Sequence, residues 1–229
     1  YDDREYRYIY ANGKPVFLSG LLDQGFWTEG IYTAPCEGAL KADVLDMKEL
    51  GFNMIRKHLK VEDPLQYYWA DKIGMYIWQD MPHASAMNAT EVGGEAPGRA
   101  LYEQSLKDML NRDYNHPSVM AVMLFNETWG ITRPGNQAAD GMTTQDWQIY
   151  LYDYAKGINP NLLVEDMSPN KADHIQPTDL NTFHMYTKGY NASKNLLNNS
   201  YYFTYPGSTH NFQSGNRQDG EPWLNNGFG

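Results

Sequence analysis

Apolar and polar positions alternate along this chain in two rhythms, one of strands and one of helices. Residues 6–18 place β-prone arms on either side of Asn12-Gly13, a strong signal for a two-residue hairpin turn. A strand is predicted to continue from Val16 to Leu22. Leu40, Val44 and Met47 then recur at helical spacing, and Gly51 stops that helix. Residues 52–58 read as a strand. Asp63-Pro64 supplies the cap and first-turn residue of a helix to about Lys72. A strand over 75–79 and a helix over 101–112 follow. Asn115-His116-Pro117 breaks that helix, and a strand over 118–127 holds the apolar run 119–123. The helix over 144–156 carries Trp147, Leu151 and Tyr154 on one face. Strands over 162–166, 181–186 and 222–225 complete the series.

Strands alternating with helices at this spacing predict βαβ units and parallel pairing. The seven strands, centred on Phe17, Met54, Tyr76, Val122, Val164, Phe183 and Leu224, fit an α/β fold of the (β/α)8 TIM-barrel type, truncated after strand 7 and opened by a short β-hairpin. An open doubly wound sheet fits them too. No Gly-x-Gly-x-x-Gly follows the first strand, so a dinucleotide site has no support. Two stretches, 82–98 and 187–220, read as long irregular loops leaving strand C-termini.

Composition narrows the function. The chain has 229 residues, 41% of them hydrophobic, enough for one large domain or two small ones. No apolar stretch reaches the ~18 residues of a membrane span. Tyr1-Asp2-Asp3-Arg4-Glu5 is polar and not a signal peptide, which leaves export open. The net charge of −10 argues against nucleic acid and suits a neutral or cationic substrate, or good solubility alone. One cysteine, Cys36, excludes an intrachain disulfide framework and a cysteine zinc site. Aromatic residues reach 14%, which fits ordinary packing and a carbohydrate cleft equally. Metal spacings of the His-x-His or His-Glu-x-x-His kind are lacking, as are a serine nucleophile elbow and a phosphate loop. Asn88, Asn191 and Asn198 match the glycosylation acceptor pattern.

Candidate chemistry gathers at the strand ends. Asp23 and Gln24 follow the first strand, and Arg56 and His58 end the second. Asp80 ends the third, Asn126 and Glu127 the fourth, Asp166 the fifth, and His184 with Tyr186 the sixth. Any one of these could be a helix cap or a satisfied rim group. In a parallel barrel the strand C-termini together form the catalytic face. Glu127, where a buried strand leaves the core, is the foremost candidate for chemistry.

Several blocks resemble one family. They are Asn12-Gly13-Lys14-Pro15-Val16-Phe17-Leu18-Ser19-Gly20, Gly51-Phe52-Asn53-Met54-Ile55-Arg56-Lys57-His58, and the run from Asp71 to Pro82 containing Trp78-Gln79-Asp80. Asn115-His116-Pro117-Ser118-Val119 leading to Phe125-Asn126-Glu127-Thr128-Trp129-Gly130 is the most specific. In order, they resemble the catalytic barrel of family 2 glycoside hydrolases. That resemblance implies one catalytic domain over 1–229, with 1–15 as hairpin and linker. It implies retaining hydrolysis of terminal β-linked sugars by two glutamates, which need carboxyls about 5–5.5 Å apart. Glu127 would be the acid/base and Asn126 would hold the 2-hydroxyl. Arg56, His58, His184 and Tyr186 would line the subsite and Trp129 would border it. Asp80 and Asp166 join the substrate-binding set as strand-end residues. Arg56 would hold a nearby carboxylate ionised, and a dry wall would raise the pKa of Glu127.

The nucleophile expected near the end of the seventh strand is missing, because Gly227 stands in its place. Three readings stay open: a sugar-binding protein without turnover, a position altered to trap a ligand, or another carboxylate such as Asp166 or Glu221 in the role. No cofactor or metal is required, although family analogy allows magnesium or sodium. The expected partners are a carbohydrate, β-sandwich domains of a longer parent chain, and further copies joined through the edges of strands 1 and 7. Nucleic acid and membrane are not expected. An extracellular or periplasmic site is favoured over the cytoplasm. The absence of a basic cluster in the two loops disfavours glucuronate.

Overall fold

The computed structural model describes residues 7–83, 96–127, 141–169, 172–200 and 202–228. Asn12 and Gly13 both adopt positive φ, 50° and 74°, as the tight hairpin turn requires. They join β1 (Tyr10–Ala11) to its antiparallel partner β2 (Lys14–Pro15). The strand predicted over Val16 to Leu22 starts later, as β3 (Gly20–Asp23). Gly20 lies so close to β4 that a Cβ there would sit 2.4 Å from Met54 Cε.

From β3 onward strands and helices follow the predicted rhythm: α1 (Glu37–Glu49), β4 (Met54–Lys57), α2 (Pro64–Ile73), β5 (Tyr76–Asp80), α3 (Ala96–Asp113), β6 (Val119–Asn126) and α4 (Thr144–Ile158). Then come β7 (Leu163–Ser168), β8 (Asn181–Met185), α5 (Tyr190–Ser200) and β9 (Trp223–Phe228). The helix boundaries have local causes. Asp63 accepts from Leu65 N at 2.9 Å, Thr143 Oγ1 accepts from Asp146 N at 3.0 Å, and Gly74 ends α2 at φ 80°.

Strands β3 to β7 form one parallel sheet in chain order, and β8 and β9 form a parallel pair. The pair sits beside β7, where Asp179 N donates to Val164 O at 3.0 Å. Arg56 on β4 reaches Asn226 O on β9 at 2.5 Å. Strands so far apart in order meet only because the layer curls round on itself. The result is an α/β barrel-type fold with its helices outside.

Strand parity sorts the core. Ile55 and Ile77 face outward with Tyr67 and Ala70 of α2 and Val44 of α1. Val122, Leu124 and Val164 pack with Leu106, Trp147 and Leu151. Met54, Trp78, Ala121 and Met123 fill the interior.

Besides the late start of β3, three boundaries and one further element differ from the sequence expectation. Helix α3 begins at Ala96 rather than Leu101; most of the predicted loop over 82–98 lies outside the described residues. The stretch 187–220 is not wholly irregular, since it contains α5. That helix buries none of its residues and is rich in asparagine, so neither packing nor propensity announces it. Strand β7 runs on to Ser168 and β9 to Phe228.

Candidate active site

The strand ends of β4, β5, β6 and β9 converge around Arg56, which is 2% exposed. Its Nε donates to both oxygens of Asp80, at 3.2 and 2.9 Å. One terminal nitrogen donates to Asn226 O and the other to Asn126 Oδ1, at 2.9 Å. The fork therefore fixes the amide of Asn126 with its oxygen inward. Asp80 is fully buried behind the guanidinium, and burial raises its pKa to about 7 against the pull of Arg56. Asp80 holds Arg56 rather than facing the mouth.

Glu127 follows β6 directly. Its φ of 48° is left-handed, a conformation rare outside glycine and concentrated at functional sites. Its amide donates to Ser168 O at 3.0 Å, which secures the turn. The side chain swings to His184, with Oε1 2.5 Å from Nδ1. On its other side His184 Nε2 lies 2.7 Å from Ser168 Oγ. The bond to His184 holds the Glu127 carboxyl below its usual range, against the opposing effect of burial. This corrects the expectation of a raised pKa: a hydrogen-bond donor sits where a dry wall was expected.

Two more histidines frame the site. Burial, with Arg56 nearby, lowers the His58 pKa to about 4, so the ring is neutral at physiological pH. Its Nδ1 lies 3.3 Å from Gln24 Nε2. His83 Nε2 accepts from Asn126 N at 2.7 Å. Tyr186 stands edge-on to His184 at 6.0 Å and is 65% exposed, with its phenol open to the mouth.

Some predicted residues lie elsewhere. Asp166 faces the helices, where it meets His174 Nδ1 at 2.6 Å, Ile175 N at 2.7 Å and Gln148 Nε2 of α4 at 3.1 Å. Its neighbour Glu165 takes the interior instead, accepting from the Thr182 hydroxyl and from Asn226 Nδ2 at 3.2 Å. The period of two along β7 separates them. Glu221 is buried and bonded to Gln176 Nε2 and Asp219 N, both at 2.7 Å. Trp129 lies outside the described residues.

Gly227 pairs with His184 across β8 and β9. A Cβ on Gly227 would lie 2.6 Å from His184 Cδ2, so the imidazole occupies the room of any side chain at 227. Ser168, Glu165 and Asn226 are site residues that sequence reasoning missed, and His83, which the sequence offered only with His58, His184 and Asp80 as a possible metal ligand, instead accepts from Asn126 N. Among the described residues, no group of three or more His, Cys, Asp or Glu is placed to hold a metal ion. None of their helices is long and apolar enough to cross a membrane.

Comparison with known proteins bears on the family and the fold. The family model described as glycosyl hydrolases family 2, TIM barrel domain, matches residues 5–212. A β-glucuronidase of Bacteroides fragilis is 32% identical over 87 residues, which are 37% of this chain and 12% of that protein. A β-galactosidase of Enterobacter cloacae is 24% identical over 119 residues, 51% of this chain and 12% of that protein. The chain spans only 12–15% of the length of the first curated relatives it matches. Among solved structures, a β-galacturonidase from Eisenbergiella tayi with galacturonate bound shares the fold. Its TM-score is 0.76 at 19% identity, over 95% of this chain and 36% of that one.

Proposed function

Because this chain belongs to the glycosyl hydrolases of family 2, as a TIM barrel domain, we propose that it binds a terminal β-linked sugar at its strand C-termini and serves hydrolysis of the glycosidic bond. The observation that carries this reading is the pairing of Glu127 with His184 at 2.5 Å beside the Arg56–Asn126 fork. Arg56 holds the amide oxygen of Asn126, which leaves Nδ2 as the donor for a sugar hydroxyl. In the acid/base role Glu127 first takes up a proton, because its carboxyl rests ionised beside His184, and then gives it to the glycosidic oxygen as that bond breaks. His58 is a neutral ring and Tyr186 an exposed phenol, suited to further hydroxyls. Trp129 would border the cleft by family pattern. The names of the relatives make uronic acids and galactose the first sugars to test. The small share of their length matched here supports a parent protein with β-sandwich domains beside the barrel.

A second reading is binding without turnover. Gly227 favours it, since retaining hydrolysis needs a second carboxylate about 5–5.5 Å from the first. A panel of 4-nitrophenyl β-glycosides separates the two. Such substrates barely need an acid but still need a nucleophile. Turnover that persists in Glu127→Gln supports the hydrolase. Calorimetric sugar binding with no turnover supports the binding protein, and neither binding nor turnover would end both readings.

A further inference from the structure

His184 is held on three sides. Glu127 Oε1 lies 2.5 Å from its Nδ1 and Ser168 Oγ lies 2.7 Å from its Nε2. On the third side is the backbone of Gly227, where an added Cβ would lie 2.6 Å from Cδ2, 2.9 Å from Cγ and 3.0 Å from Nε2. The His184 side chain is 3% exposed, so water offers it few alternatives. Gly227 is not among the glycines with positive φ. Its backbone would accept any residue, and glycine is demanded only by the close approach of the ring.

We propose that Gly227 and Ser168 are positioning residues for Glu127, both acting through His184. Glycine at 227 leaves the room in which the imidazole stands. The Glu127 carboxylate can only accept, so it takes Nδ1–H, and Ser168 Oγ then donates to the bare Nε2 and holds the ring in that orientation. The ring stands where the second carboxylate of a double displacement would be rooted, so the site is organised around a Ser168–His184–Glu127 chain. Gly227→Glu alone would therefore push His184 off Glu127 rather than install a working nucleophile. The inference rests on the proposed function only for what Glu127 then does to a sugar.

The test is nuclear magnetic resonance on the intact protein with 15N-labelled histidine, the His184 signals being assigned by their loss in His184→Gln. Wild type is expected to show His184 as the Nδ1–H tautomer, opposite to the Nε2–H form that free histidine prefers. Gly227→Ala should lose that signature by displacing the ring, whereas Ser168→Ala should keep Nδ1–H and shift the Nε2 resonance, because Nε2 loses its donor. Gly157→Ala, where an added Cβ meets nothing within 4 Å, should change neither. If Gly227→Ala does not fold, Ser168→Ala decides alone. An Nε2–H ring in wild type, an unchanged Nδ1–H signature in folded Gly227→Ala, or an unmoved Nε2 resonance in Ser168→Ala overturns the proposal. The readout does not depend on turnover. An inert protein with the predicted tautomer would thus sink the hydrolase reading and leave the positioning chain standing.

Discussion

Glu165 and Glu127 respond to pH with opposite signs, because one is buried among neutral donors and the other is held by a histidine. Burial pushes Glu165 up to about 7. In the unfolded chain the same carboxyl titrates near about 4.3. Between those values the folded state binds the extra proton, so its contribution to stability is full at low pH and disappears as pH rises through about 7. Urea unfolding should show wild type losing on the order of 3 kcal/mol from this group between about pH 5 and 8. Glu165→Gln should flatten that slope, and an unaltered slope would mean that Glu165 ionises freely in the fold. Glu127 runs the other way. His184 lowers its pKa, so its contribution is present above about 4.3 and is lost as pH falls through the lowered value. Glu127→Gln should weaken acid destabilisation in the same measurement.

Among the elements, α4 shows how a legible pattern becomes packing. Of the face read from the sequence, Trp147 and Leu151 are buried and Tyr154 packs only half-buried against the same core, where Ala155 fills the next buried position. Trp147 meets Tyr102 and Phe125 with ring centroids at 5.5 Å, and its Nε1 donates to Glu103 at 2.8 Å. Trp147→Ala should cost about 3–5 kcal/mol by chemical denaturation, and loss of the Asp63 cap in Asp63→Ala about 1 kcal/mol. The periods of two and 3.6 made most strands and helices readable, and contiguous motifs brought Arg56, Asn126 and Glu127 into view. The limits have equally physical causes. Leu162, Leu163 and Val164 form an unbroken apolar run in a strand covered on both faces, so no alternation marks Glu165 rather than Asp166 as the inward carboxylate. Ser168 matters only through His184 on the next strand, a relation that no local spacing encodes. Helix α5 was hidden because it lacks a buried stripe.

For the whole molecule, Arg56 is one of the ties between the five-stranded sheet and the β8–β9 pair. It is bonded to Asp80 on β5, Asn126 on β6 and the backbone of Asn226 on β9. The Arg56 and Asp80 side chains are 3% and 0% exposed, so removing Asp80 strands the Arg56 charge in the interior and removing Arg56 leaves the buried Asp80 carboxyl without its donor. Arg56→Ala should therefore cost about 3–5 kcal/mol, while Arg56→Met combined with Asp80→Asn should recover part of that loss. Arg56→Lys keeps the charge but not the planar fork that reaches three strands at once. Its effect should appear in cooperativity as well as in midpoint. Trp223 on β9 stacks on Phe183 of β8 at 4.3 Å and reports that pair, whereas Trp78 and Trp147 report the five-stranded layer and its helices. In wild type, fluorescence from single-tryptophan variants should give coincident unfolding curves. With Arg56→Lys, the Trp223 transition should precede the others, because the guanidinium bond from β4 to Asn226 no longer couples β9 to the main sheet. Coincident curves in that variant would place the coupling in the Glu165 contacts to Thr182 and Asn226 instead.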